Sequence, residues 1–306
     1  MLSENKIACF FLQLSIREDL RYERYDPLAQ CAVNSFKKFH SDIEVFHVTN
    51  DNIEYYFDII AEEVQLYDQI GLVRYIIAEK LMRKLGIQKM IVLGIDTITC
   101  ARLDEFLNDD TDVLATLNYP GPESTAYWST PIEEFTDASG NKHTDVKNLN
   151  ADVVCFNNVD AFARVNELAI NHFSGFGEQG GLNELALVDK SFTVKVIDYP
   201  YFSSPFVYNA RSKGVFGTAM CTPQTPQMLY YVKDGKLFTH DHKQIKVWHL
   251  IEGLSDQNAY EFKAILDNWK FNLLNADTKK FFKEQCDCGD YFETPYNIEK
   301  DWFGRT

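Results

Sequence analysis

The chain has 306 residues, 45% hydrophobic, 14% aromatic and 25% charged, which is the mix of an ordinary globular protein and excludes disordered, collagen-like and low-complexity architectures. Its 30 Lys and Arg against 45 Asp and Glu leave a net charge of −15, which repels phosphate backbones and anionic lipid and argues against a nucleic-acid-binding or peripheral membrane protein. A small phosphorylated ligand is still admissible, because a few local cations or a metal can hold one. No apolar stretch reaches the ~18 residues of a membrane span. The polar start Met1-Leu2-Ser3-Glu4-Asn5-Lys6 leads into a short apolar run with no cleavage site, so it reads as a strand and not as a secretory signal. The seven cysteines are an odd number, and Cys9, Cys31, Cys100 and Cys155 sit in or beside apolar segments. They read as buried thiols of a reducing, cytoplasmic compartment and not as a disulfide framework.

In chain order, residues 6–14 are a continuous apolar run and predict a buried strand. Asp26-Pro27 opens a helix, because Asp caps well and Pro fits the first turn; Leu28, Ala32, Phe36 and Phe39 follow at helical spacing. Residues 43–48 predict a second strand. From 72 to 85, Val73, Ile77, Leu81 and Leu85 recur every fourth residue and predict an amphipathic helix that Gly86 ends. Residues 89–95 predict a third buried strand, with Asp96 where it runs out. A short helix at 102–107, a strand at 113–117, a strand at 150–156 and a helix at 160–173 continue an alternation that argues for a parallel α/β sheet. Residues 118–148 lack periodicity and read as a binding loop or lid, in which Tyr119, Tyr127 and Trp128 either stack on a sugar or anchor the loop. Residues 174–183 read as a flexible glycine-rich loop. A strand at 194–197, an aperiodic stretch at 198–230 and a late strand at 245–250 follow. Last comes a helix at 258–273 with Phe262, Ile265, Leu266, Trp269 and Leu273 on one face.

Asp96 carries the most information. In open α/β sheets ligands bind beyond the carboxyl ends of the strands, and a carboxylate there can hold a hard divalent cation that in turn holds a diphosphate. The other reading is an Asp that caps the next turn through Thr97 and Ile98; spacing alone does not choose. Gly175, Gly177 and Gly180 spell G-x-G-x-x-G, but a helix precedes them instead of a strand, so they are not a dinucleotide fingerprint. His240-Asp241-His242 and Cys286-x-Cys288 lack further ligands at a recognisable spacing and read as surface features.

Several segments together resemble one family. Met90-Ile91-Val92-Leu93-Gly94-Ile95-Asp96-Thr97-Ile98 is similar to the strand and DxD loop of GT-A-fold glycosyltransferases, particularly the glycosyltransferase family 8-like group. Arg74-Tyr75 opens the long upstream helix as in that group. Asn150-Ala151-Asp152-Val153-Val154-Cys155-Phe156-Asn157 resembles its Asn-Ala-Gly-Val strand ending in Phe-Asn. Glu178-Gln179-Gly180-Gly181-Leu182-Asn183 resembles its Asp/Glu-Gln-x-x-Leu-Asn motif, and His249-x-x-x-Gly253 its terminal His-x-x-x-Gly.

The resemblance implies an α/β fold of GT-A type, Rossmann-like, with a mixed, mainly parallel sheet flanked by helices. It implies one nucleotide-sugar-binding and catalytic domain over residues 1–255 and a C-terminal helical extension over 256–306. The implied activity moves a sugar, with retention, from a UDP- or GDP-sugar to a glycan or small hydroxyl acceptor. Mn²⁺ or Mg²⁺ would sit on Asp96 and His249, completed by diphosphate oxygens and waters. Arg74, Gly94, Asp96, Asn150 and Gln13 are the expected donor-binding residues, and Glu178, Gln179 and Asp152 the expected catalytic ones.

Three departures bear on metal affinity, on stabilisation of the leaving diphosphate and on activity. Gly94 stands at the first DxD carboxylate, Asp152 replaces a glycine, and the Lys beyond His249 is absent, with Asp256 and Gln257 in that region and Lys246 the nearest upstream cation. They motivate an alternative, a sugar- or nucleotide-binding pseudoenzyme. A sugar nucleotidyltransferase ranks lower, since Phe11-Leu12-Gln13-Leu14-Ser15-Ile16-Arg17 has no glycine-rich loop.

Overall fold

A computed structural model of the chain describes residues 6–13, 26–56, 70–117, 135–144, 146, 148–171, 177–197, 202–203, 230–239, 242–249 and 275–292. Outside the described residues lie the predicted 258–273 helix, Tyr119, Tyr127, Trp128, Gly175, His240, Asp241, Gly253, Asp256 and Gln257, and most of 198–230.

The strands are β1 (Ile7–Gln13), β2 (Glu44–Thr49), β3 (Lys89–Leu93), β4 (Thr97–Thr99), β5 (Val113–Leu117), β6 (Phe135–Thr136), β7 (Lys142–His143), β8 (Leu149–Phe156), β9 (Val194–Ile197), β10 (Phe202–Ser203), β11 (Tyr230–Lys233), β12 (Lys236–Thr239) and β13 (Val247–His249). The α-helices are α1 (Asp26–Phe39), α2 (Ile70–Leu85), α3 (Asp104–Asn108), α4 (Val159–Asn171), α5 (Gly177–Glu184) and α6 (Ala276–Glu284). The main sheet runs β2-β1-β3-β8-β5-β9. Its neighbours pair in parallel except at β8, which is antiparallel to both β3 and β5. This is the mixed, mainly parallel sheet flanked by helices that the sequence leads one to expect.

Helices on both faces explain why β1 and β3 read as unbroken apolar runs. Along β1, Ala8, Phe10 and Leu12 point to the layer that holds Val73, Tyr75 and Ile77 of α2 and Phe162 and Val165 of α4. Cys9 and Phe11 point to the opposite layer, with Phe36 of α1 and Phe106 of α3. The alternation follows from the two-residue period of a strand. Each such leucine, isoleucine, valine or phenylalanine side chain taken wholly out of water contributes about 1.5–3 kcal/mol.

The third strand is shorter than predicted. It stops at Leu93 because the Thr97 amide and hydroxyl both donate to the Gly94 carbonyl, at 3.2 and 2.7 Å, and close a turn. The chain then re-enters as β4, which the sequence reading missed, in a three-stranded sheet ordered β10-β13-β4. From Gly177 onward the glycine-rich segment is a helix, α5, and not a flexible loop. A Cβ on Gly181 would overlap the Val165 carbonyl and lie 2.6 Å from the Ala169 nitrogen, so its glycine permits close packing on α4. Residues 135–143 form a small hairpin of β6 and β7 within the predicted loop.

The Cys-x-Cys pair is also corrected: Cys286 and Cys288 are buried, 0% and 6% exposed. Asp287 and Gly289 take left-handed backbone angles, φ 57° and 54°, and fold the pair back beneath α6, where the Cys286 and Cys288 amides donate to the Phe281 and Phe282 carbonyls. Helix α6 starts on Asn275, whose side chain accepts from the Thr278 amide at 2.8 Å, and seats Phe282 against Trp248 with ring centroids 4.4 Å apart. Among the described residues no helix is long and apolar enough to cross a membrane.

Candidate metal and donor site

Two ladders converge at the end of β3. The β3–β8 pairing sets Leu93 opposite Val153, and the Gly94 amide extends it by donating to the Asp152 carbonyl at 2.9 Å. The β4–β13 pairing sets Thr97 opposite His249. Asp96, in the intervening turn, is thereby brought to both. His249 Nε2 lies 3.2 Å from Asp96 Oδ1 and 3.6 Å from Asp152 Oδ2. One ligand atom from each of the three residues falls within 4.8 Å of the others, the one such group among the described residues.

Behind this cluster lies Arg74, one turn into α2. It is buried, although a charged residue near a helix start is ordinarily solvated. Its Nη1 meets Asp152 Oδ1 at 2.6 Å, and its Nη2 meets the Ala151 carbonyl at 3.1 Å and Glu178 Oε1 at 3.4 Å. Tyr75, also buried, donates its hydroxyl to the same Ala151 carbonyl at 2.9 Å. Glu178 comes from the first turn of α5, and a Cβ on Gly71 would overlap its carboxylate, so that glycine makes room for it.

The electrostatics follow from this packing. Burial alone would pull the His249 imidazole down, but the Asp96 carboxylate beside it, with Asp152 further off, holds it above the usual imidazole range. Burial works to raise Asp152; the Arg74 charge and hydrogen bond, with His249, outweigh it and hold the carboxyl below the usual range. Burial pushes Glu178 up to about 7, opposed by Arg74 and aided by Asp152. The donor set of two carboxylates and one imidazole fits a hard divalent ion such as Mn²⁺ or Mg²⁺.

The remaining predicted residues are placed as follows. Gly94 stands in the turn between Asp96 and Asp152. Asn150 is buried in β8, its side-chain oxygen accepting from the Asp152 amide at 2.8 Å. Gln179 follows Glu178 on α5, and its carbonyl accepts from the Asn183 amide side chain. Gln13 ends β1 on the same edge of the sheet, with Oε1 2.9 Å from His47 Nε2. Lys246 pairs with Glu105, 2.6 Å away. The sequence reading did not foresee Tyr75, Gly71, or Asp152 as a partner of Asp96. The available signal was the coincidence of Gly94, where a carboxylate was expected, with Asp152, where a glycine was.

No family model matches the chain, and no curated protein matches it. Solved structures that it matches include glycosyltransferases. One is the galactosyltransferase LgtC in complex with donor and acceptor sugar analogs, 12% identical over 97% of this chain and 99% of that one, with a TM-score of 0.45. Another is a glycosyltransferase involved in the glycosylation of the major capsid of PBCV-1, 9% identical over 84% and 98%, with a TM-score of 0.44. A third is the glycosyltransferase GlyE of Streptococcus pneumoniae TIGR4, 15% identical over 91% of this chain, which spans 63% of that one, with a TM-score of 0.45.

Proposed function

We propose that the chain transfers a sugar from a nucleotide-diphosphate donor, UDP- or GDP-linked, to a hydroxyl of a glycan or small acceptor, with Mn²⁺ or Mg²⁺ held by Asp96, Asp152 and His249. The observation that carries this reading is the convergence of those three ligand atoms within 4.8 Å at the end of β3, backed by a buried Arg74. The cation, when bound, supplies positive charge against a departing diphosphate.

The chain's own residues do the rest. Arg74 fixes Asp152 and keeps it ionised, so its carboxylate is oriented before any ligand arrives. The ligating nitrogen of His249 must be unprotonated, so cation and proton compete for it. Glu178, poised near neutrality, can donate to or accept from a sugar hydroxyl, with Gln179 beside it for the same task. Asn150 braces β8 at Asp152. Gly94 and Gln13 line the donor side. On this reading residues 1–255 form the catalytic domain and 256–306 its extension. Stacking of Phe282 on Trp248, next to His249, supports a role for the extension in holding that strand.

The test is calorimetry of UDP and GDP with and without Mn²⁺, followed by an NMR assay of donor hydrolysis and transfer. Nucleotide affinity should rise at least about tenfold with Mn²⁺, equivalent to roughly 1.4 kcal/mol, and the first sugar product should keep the donor's anomeric configuration. Nucleotide binding indifferent to Mn²⁺, to chelator and to Asp96→Ala would overturn the reading.

A further inference from the structure

We infer that Gly94 and Asp152 form an interdependent cross-strand pair with room for one carboxylate, and that Asp152 delivers it to the metal cluster from β8 in place of a side chain from the β3–β4 turn. This rests on the metal reading above and assigns which strand supplies the second acidic ligand.

The space is the first argument. A Cβ placed on Gly94 would lie 2.6 Å from Asp96 Oδ1, 3.1 Å from Asp152 Oδ1 and 3.2 Å from Asp152 Cβ. A side chain at 94 therefore enters the volume in which the two carboxylates already meet. The backbones cannot part to admit it without losing bonds, because the Gly94 amide is tied to the Asp152 carbonyl at 2.9 Å and the Gly94 carbonyl accepts both Thr97 donors.

Charge is the second argument. Asp152 comes with its own counter-ion, Arg74 at 2.6 Å, so β8 can present an ionised carboxylate in a half-buried place. A third carboxylate at 94 would add like charge against Asp96 and Asp152. The arrangement is reciprocal. With glycine at 152, the contacts at 3.1 and 3.2 Å vanish, and the nearest approach, 2.6 Å, is to Asp96 Oδ1, the end of a side chain that can turn.

The experiment is a double-mutant cycle on the full chain, G94D, D152G and G94D/D152G, read by Mn²⁺ binding in electron paramagnetic resonance without any donor. Each single change should weaken Mn²⁺ binding about tenfold or more, on the scale at which supporting groups tune metal sites, and the double swap should recover most of that loss. A second cycle, G94A, D152G and G94A/D152G, is read by thermal unfolding. Alanine at 94 should lower Tm beside Asp152 and much less beside glycine, which keeps the question answerable if G94D does not fold. If wild type binds no Mn²⁺, the metal reading fails and this inference with it. If wild type binds Mn²⁺ but the double swap is no better than the worse single variant, or G94A costs the same in both backgrounds, the inference alone is wrong.

Discussion

Thr97 and His249 face each other across the β4–β13 ladder, and this register carries the His249 imidazole to within 3.2 Å of Asp96 on the far side of the turn. The histidine thus belongs to the small sheet, Asp152 to the large one and Asp96 to the turn that joins them, so the cluster forms where the two sheets meet. A ligand that bridges the three residues ties those sheets together.

Asp96→Ala should reduce transfer by about 100-fold or more, equivalent to ~2.7 kcal/mol of transition-state stabilisation, while leaving Tm within a few degrees of wild type. The carboxylate is 18% exposed, at a turn, and contributes little core. Parallel thermal unfolding and single-turnover assays check this. A variant that unfolds early yet keeps full specific activity would make Asp96 a structural residue.

Arg74→Met should be far more damaging to stability than to shape. The side chain is 9% exposed and stands between Asp152 and Glu178, so its loss leaves two carboxylates with no counter-ion between them. Removing one partner of a buried pair costs about 3–5 kcal/mol. Urea denaturation should show a drop of that order, partly relieved in the double variant with Glu178→Gln.

Glu178 sets a pH dependence whose sign is fixed by its raised pKa. The folded chain holds this proton up to about 7, whereas the unfolded chain releases it near the ordinary carboxylate range. More protons are then bound in the folded state between those limits, so this group's stabilisation is full at the acidic end and declines as pH rises to about 7. Its size is on the order of 3 kcal/mol. Urea midpoints at several pH values should show a gentler decline in Glu178→Gln than in wild type, whereas parallel profiles would remove Glu178 from the account.

Gly181→Ala should destabilise the chain by about 1–3 kcal/mol, because the added methyl group meets the Val165 carbonyl and the Ala169 nitrogen of α4. The displaced α5 carries Glu178, so the chemical step should slow more than the stability loss alone predicts. Denaturant titration and turnover at a temperature where the variant is fully folded separate the two effects.

The sequence by itself determined the elements whose signal is local. The apolar runs at β1, β3 and β8 announce strands covered on both faces, and the four-residue recurrence from Val73 to Leu81 announces α2, because side-chain period is a property of neighbouring residues. Asp96 was legible as the residue leaving a buried strand. Tertiary structure decided the rest. Helix α5 is hidden by its glycines, which lower intrinsic helicity; Gly181 is explained by the proximity of α4 and Gly177 by its left-handed φ of 49°. Cys286 and Cys288 are buried by a left-handed turn that no periodicity reveals. The place of Asp152 is fixed by the register of β8 on β3, which sets it against Gly94 and within reach of Arg74. Such pairing joins residues distant along the chain, and a one-residue slip of that register would turn Asp152 to the other face of the sheet.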